Sequence, residues 1–147
     1  MISTKVVIEL LTAFLGTLGF ALLFNLRGKK LIYASLGGMF SWMLFLSLGP
    51  IFQNEALRYL IVAIISTAYS EILARTLKTP ASTFSILVLV PLVPGGALYN
   101  TVTFALSGNT EAFIPKLIYT LELAVALSLG IVITTALFKN IKLHKKA

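Results

Sequence analysis

The chain has 147 residues, of which 58% are hydrophobic and 12% charged, and its formal net charge is +7. A charged fraction about half that of an average soluble domain, with a mean hydropathy of +0.96, excludes a soluble protein with a polar surface. Because cysteine is absent, disulfides, thiolate metal ligands and cysteine nucleophiles are excluded as well.

Five apolar segments follow one another, each long enough for a transmembrane helix. The first extends back past Glu9 and ends before Arg27, and the lack of a small-residue cleavage site predicts a permanent span rather than a signal peptide. The last contains Lys116 and Glu122. The predicted spans are about 4–26, 31–49, 56–74, 81–107 and 112–138, followed by a basic tail at 139–147. The sequence therefore predicts an all-α, polytopic membrane protein that forms a single transmembrane domain, 1–147.

The basic residues predict an orientation for these spans. Of the twelve Lys and Arg residues, Lys5, Arg58 and Lys116 fall on one side of the membrane. The other nine fall on the opposite side, and they are Arg27, Lys29, Lys30, Arg75, Lys78, Lys139, Lys142, Lys145 and Lys146. Because basic loops favour the cytoplasm, the N-terminus is predicted outside and the C-terminus inside. His144 lies in the basic tail and is interpreted as a solvated residue, not a metal ligand or pH sensor.

The fourth span, which contains the segment PLVPGG, holds the residues least compatible with a continuous helix. Pro91 and Pro94 each remove a backbone donor and clash with the preceding turn, and the two glycines that follow permit backbone angles that other residues avoid. The sequence predicts two half-helices, about 81–90 and 97–107, joined by unwound backbone near mid-bilayer. Such a segment is expected only inside protein or beside a water-filled cavity, because unpaired backbone groups in hydrocarbon cost several kcal/mol each.

The break also predicts a binding site. A helix that begins near the midplane presents free N–H groups, which bind anions, and discontinuous helices form the substrate sites of many secondary transporters. The residues predicted to bind substrate are Pro91, Pro94, Gly95, Gly96, Ala97, Tyr99 and Asn100. The alternative is a proline kink that only shapes packing, with Asn100 joining two helices and Tyr99 packed between them.

Two glutamates within the spans are predicted to carry a coupling proton. Glu122 lies about 5 Å on the outer side of mid-bilayer, where burial favours a neutral carboxyl group that can exchange a proton. It begins a stripe of polar and small residues that is expected to face the bundle, namely Glu122, Ala126, Gly130 and Thr134. The alternative for Glu122 is a neutral side chain bonded across a helix interface. Glu9 is shallower and is expected to line an outer vestibule or to pair with Lys5.

The remaining acidic residues and the missing motifs limit other functions. Glu71 and Arg75, one helical turn apart near the basic side, are predicted to form a structural or gating ion pair. Glu55 and Glu111 flank outer loops and receive no role. The sequence has no phosphate-binding loop, metal-ligand cluster or nucleophile–base pair, and no nucleic-acid-binding motif. It therefore predicts no ATP-driven step, cofactor, metal, catalysis or nucleic-acid partner.

Five spans with VPLVPGGALYN in the fourth resemble the threonine/serine exporter family, and in particular its short subunit. The resemblance rests on the PLVPGG-x-L-Y segment, Pro91 to Tyr99, and on the span pattern. It implies a ten-span transporter whose second half is a longer five-span partner subunit. It also implies export of small amino acids such as threonine and serine, or of dicarboxylates such as succinate, driven by the proton gradient across a bacterial or archaeal inner membrane.

An outside-to-inside unit of five spans is the topology expected for one half of an inverted pair, whose site lies where the halves meet. The sequence therefore predicts a subunit of a proton-coupled exporter of small carboxylated metabolites, surrounded by lipid and completed by a partner or by self-association. The small residues Gly37, Gly38 and Ser41 suit either docking of that partner or internal packing. A passive channel subunit and a non-transporting membrane scaffold are the alternative functions.

Overall fold

The computed structural model describes residues 4–144, with side chains through residue 140, and these residues form helices joined by short turns. The helices are α1 (Thr4–Leu23), α2 (Lys29–Leu48), α3 (Glu55–Thr76), α4 (Ala81–Leu89), a 3₁₀ turn (Val90–Leu92), α5 (Gly95–Leu106) and α6 (Thr110–His144). Four of them are long and apolar enough to cross a membrane, and α4 with α5 makes a fifth if the bent pair is one span. The all-helical prediction is confirmed, and α6 continues into the predicted tail as far as His144.

Local sequence signals explain where the helices begin and end. Asn54 caps α3, since its side chain accepts a hydrogen bond from the Leu57 N–H at 3.1 Å. Asn109 caps α6 in the same way, through the Ala112 N–H at 3.1 Å. Gly108, just before that cap, has φ 70°, a backbone angle that glycine adopts without steric cost. These two caps fix the residues at which α3 and α6 begin.

Helix α3 is the centre of the bundle, because it packs against α2, α4 and α6. Helix α1 packs mainly on α2, and α5 packs mainly on α6. Gly37, Gly38 and Ser41 are buried inside the bundle, and Gly38 lies directly against Thr17 of α1. Of the two roles predicted for these small residues, docking of a partner or internal packing, the structure shows internal packing.

The predicted break in the fourth span is confirmed, but the unwound part is shorter than predicted. After α4 the chain makes one 3₁₀ turn, Val93 is extended, and α5 resumes at Gly95 with a bend of 64°. In the 3₁₀ turn Pro91 cannot donate to the carbonyl oxygen of Val88, which instead accepts a hydrogen bond from Ser41 Oγ at 2.7 Å. A hydroxyl group from α2 therefore replaces the donor that the proline removes.

The two glycines of the break do not adopt the unusual backbone angles that the sequence analysis allowed for them. Neither Gly95 nor Gly96 has a positive φ, so the left-handed backbone that they permit is not used. A Cβ atom built at either position meets nothing within 4 Å. The prolines interrupt the hydrogen-bond ladder, and the glycines leave open space beside the first turn of α5.

Candidate functional site

A cavity of about 250 Å³ lies at the break, between the start of α5, the C-terminal half of α2 and the N-terminal halves of α3 and α6. Five of the residues predicted to bind substrate line it together, namely Pro91, Pro94, Gly95, Gly96 and Ala97. The other lining residues are Trp42, Glu55, Tyr59, Val93, Lys116, Tyr119 and Leu123. The cavity therefore combines a helix start with an acidic, a basic and three aromatic side chains.

The first turn of α5 presents backbone donors to this cavity. The first hydrogen bond of the helix joins the Leu98 N–H to the Pro94 carbonyl at 3.0 Å, and no side chain caps the helix. The N–H groups of Gly96 and Ala97 have no acceptor among the described residues. Unpaired N–H groups and the positive end of the helix dipole together favour a carboxylate or another small anion at this position.

Glu55 and Lys116 bring opposite charges to the same cavity. Glu55 is the first residue of α3, and its Oε2 accepts a hydrogen bond from the Tyr119 hydroxyl. The Lys116 Nζ lies 4.7 Å from the centroid of the Tyr119 ring. Lys116 and Tyr119 are three residues apart on α6 and so share a face, and the packing of α3 on α6 brings that face to Glu55.

An aromatic wall supports the acidic side of the cavity. Tyr59 meets Phe45 edge-on, with ring centroids 4.9 Å apart, and Phe45 stacks on Trp42 at 5.4 Å. The Arg58 guanidinium lies 4.7 Å from the centre of the Phe45 ring, and its buried Nε has no hydrogen-bond partner among the described residues. Stacked rings and a cation–π contact hold the wall in one arrangement.

Glu9 lies next to the cavity, behind Trp42. Its carboxylate accepts a hydrogen bond from Trp42 Nε1 at 3.4 Å, and it lines a second cavity of about 260 Å³ that also touches Trp42 and Pro91. Within the described part of the chain Glu9 makes no ion pair with Lys5. Of the two glutamates predicted to carry a proton, Glu9 is therefore the one beside the break.

Glu122 occupies a different environment from the predicted one. Ala126, Gly130 and Thr134 of its stripe are buried, but the Glu122 side chain is exposed on the surface of the chain. The buried face of α6 passes through Leu123, and Glu122 lies one position, about 100° around the helix, to its side. The expectation that Glu122 is buried within this chain is wrong.

Tyr99 and Asn100 also lie outside the cavity. The inner face of α5 is set by Ala97 and Thr101, and the Thr101 hydroxyl lies 2.9 Å from that of Thr120 on α6. Tyr99 is two residues beyond Ala97, on the opposite side of the helix, and is 72% exposed. Asn100 is exposed as well. The expectation that both lie beside the helix start is not met within this chain.

Glu71 and Arg75 lie at the other end of the bundle and join α3 to α6. Arg75 Nη2 lies 3.9 Å from Glu71 Oε2. The same nitrogen donates to the carbonyl oxygen of Phe138 at 3.1 Å, and the guanidinium lies 4.8 Å from the centre of the Phe138 ring. Arg75 is thereby held by three separate contacts.

The sequence reasoning missed several residues that line the cavity, including Trp42, Glu55, Tyr59 and Tyr119. One signal was available, because Lys116 is a charged residue within a predicted span, and such residues usually mark functional positions. Glu55 gave no such signal, since it lies at the end of a loop in the sequence.

Comparisons with known proteins give one match. The family model described as "Threonine/Serine exporter, ThrE" matches residues 9–137. The matched region includes both halves of the broken span, together with Glu9, Glu55 and Lys116. No curated protein and no solved structure matches the chain.

Proposed function

The chain belongs to the threonine/serine exporter family, and we propose that it is one subunit of a proton-coupled secondary exporter of small carboxylated metabolites. One observation carries this proposal: the break in the fourth span opens into a cavity that holds unpaired N–H groups, a lysine and a glutamate. Discontinuous helices with such ends are the usual substrate sites of secondary transporters.

The charges in the cavity favour an amino acid as cargo. The carboxylate would lie at the N–H groups of Gly96 and Ala97, with the Lys116 ammonium nearby. The ammonium group of the cargo would lie at the Glu55 carboxylate. A dicarboxylate such as succinate would place a second negative charge near Glu55, so threonine or serine fits the cavity better.

The coupling proton is proposed to move through a carboxyl group close to this cavity. Glu9 suits that role, because it is joined to the cavity wall by its hydrogen bond to Trp42. Glu122 is the other candidate, and its exposed position suits proton transfer only where a partner subunit covers it. Both carboxyl groups belong to apolar helices, where a charged carboxylate is costly.

The complete transporter is proposed to contain a second half, either a longer five-span subunit of the same family or a second copy of this chain. Helix α5 supports this assembly, since it packs mainly on α6 and exposes Leu98, Tyr99 and Val102. Membership of the exporter family supports a location in a bacterial or archaeal inner membrane, and the charge distribution favours an N-terminus outside and a C-terminus inside.

A counterflow experiment separates this function from a passive channel. Vesicles containing the assembled transporter are loaded with unlabelled threonine, and the entry of labelled threonine is followed. A carrier exchanges the two pools, so labelled threonine accumulates transiently above its external concentration. A channel gives simple equilibration without such an overshoot, and that result would contradict the proposed mechanism.

A further inference from the structure

A groove runs along α3 from the basic end of the bundle toward the break. Its walls are α4 and α6, which both pack on α3 and make no extensive contact with each other in the described part of the chain. Two cavities of about 510 and 450 Å³ follow one another in this groove. They share Glu71, Ala81 and Thr135, so the two cavities are adjacent.

The groove leads toward the cavity at the break. Val93 lines both the second groove cavity and the break cavity, so these two cavities are neighbours. The α6 residues that line the three cavities follow one another at every third or fourth position and wind partly around the helix. They are Lys116, Tyr119, Leu123, Leu127, Ile131, Thr135 and Lys139. From Lys116 to Lys139 they cover about 35 Å of helix, a length comparable with the hydrocarbon thickness of about 30 Å.

The chemistry of the groove changes along its length. Its open end is lined by three cations, Arg75, Lys78 and Lys139. Further in, the polar groups are the hydroxyls of Ser82, Ser85 and Thr135 and the carboxylate of Glu71, which lies where the two groove cavities join. An apolar band then separates this polar part from the break, formed by Leu89, Leu127 and Ile131.

We infer that this groove is the route by which carboxylated cargo passes between the basic end of the bundle and the break. The inference rests on the exporter function proposed above. The cations at the mouth donate charge-assisted hydrogen bonds to the cargo carboxylate as it enters. At the junction of the two cavities the carboxylate competes with Glu71 for the Arg75 guanidinium, so the ion pair opens when cargo arrives. The apolar band then separates the route from the binding cavity until the transporter changes conformation.

The natural absence of cysteine makes this route directly testable. Ser85→Cys places a thiol in the groove, and Ser128→Cys places one on α6 at an exposed position outside it. Each variant is treated, in native membranes with all subunits present, with a membrane-impermeant anionic methanethiosulfonate applied to the cytoplasmic face. Labelling is expected about tenfold faster at Ser85→Cys than at Ser128→Cys, and threonine should slow it.

The cations at the open end of the groove allow a second measurement, the dependence of the labelling rate on the charge of the reagent. A cationic reagent of similar size should react more slowly than the anionic one at Ser85→Cys, and adding Lys78→Gln and Lys139→Gln should remove that preference. Equal labelling of Ser85→Cys and Ser128→Cys would overturn the route, even if threonine counterflow is intact. If Ser85→Cys is labelled rapidly but threonine neither slows labelling nor shows counterflow, the groove admits water while the proposed export function fails.

Discussion

Glu55 shows how a residue without a recognisable signal in the sequence becomes part of a site in the fold. In the sequence it is the last residue before a span, beside a loop. In the structure its carboxylate accepts a hydrogen bond from Tyr119, which is 64 residues further along the chain. No local pattern contains a contact over that separation, because it depends on how α3 and α6 pack.

Replacing Glu55 by Gln should weaken the binding of amino acids more than that of dicarboxylates. The variant keeps a hydrogen-bond acceptor for Tyr119 but removes the negative charge that attracts the cargo ammonium. A charge-assisted hydrogen bond contributes about 1.5–3 kcal/mol, so we expect the KM for threonine to rise about 10–100-fold. Competition between threonine and succinate in a vesicle uptake assay measures the change in preference.

Glu111→Gln is the matched control for this experiment. Glu111 also follows a loop and lies in the first turn of a helix, but it lines none of the cavities at the break. Its KM for threonine should equal that of the unmodified protein. A threonine KM that is unchanged in Glu55→Gln would remove Glu55 from cargo binding.

Whereas nothing in the sequence indicated that Glu55 lines the cavity, the sequence suggested a buried position for Glu122 that the structure does not show. The spacing of Glu122, Ala126, Gly130 and Thr134 correctly indicates a packed stripe, since the last three are buried. The small residues of the stripe allow close packing of α6 on its neighbour. Glu122, at the end of the stripe, lies beside the packed surface and not within it. Periodicity identifies the direction of a face but not the residue at which the face ends.

At the scale of elements, hydropathy predicted the helices well because an apolar run in a membrane must satisfy its own backbone hydrogen bonds. The boundaries of α2 and α3 agree with the predicted spans to within about two residues. The break was predictable because proline lacks a donor. The 64° bend and the Ser41 hydroxyl that replaces this donor depend on the neighbouring helix α2, so the sequence of the span did not predict them.

Because α3 packs closely on α6, two glycine substitutions are predicted to differ in their effect on the free energy of unfolding. A Cβ atom at Gly130 would lie 2.5 Å from Ala63 Cβ and 2.9 Å from the Leu60 carbonyl oxygen. At Gly19 on α1 a Cβ atom meets nothing within 4 Å. Gly130→Ala should therefore destabilise the fold by about 1–3 kcal/mol because the helices must separate.

Gly19→Ala is the matched control, and it should be neutral or slightly stabilising because alanine favours a helix by about 1 kcal/mol over glycine. Thermal unfolding of both variants in one detergent measures the difference. Equal midpoints for Gly130→Ala and Gly19→Ala would contradict the packing of α3 on α6 that brings Glu55 and Tyr119 together.

At the scale of the whole molecule, the proposed transport path is exposed along one side of the chain. The groove between α4 and α6 is uncovered, and α5 packs mainly on α6. A second half placed over α4 and α6 would enclose the groove. Tyr99 and Glu122 are exposed on this chain, so either would lie in an interior only where a partner covers it.

The most direct test of this account fills the cavity at the break without disturbing the fold. Gly96→Leu adds a side chain where the structure has open space, and Gly19→Leu adds the same side chain on the exposed surface of α1. The transporter is purified through a tag on this chain, and a longer partner subunit or a second copy should purify with it. Threonine counterflow is then measured in vesicles.

We predict that Gly96→Leu assembles normally and loses at least about nine-tenths of counterflow, a change of about 1.4 kcal/mol or more in cargo binding. Gly19→Leu should retain counterflow. Full counterflow in an assembled Gly96→Leu transporter would show that cargo does not bind at the break, and would contradict the account.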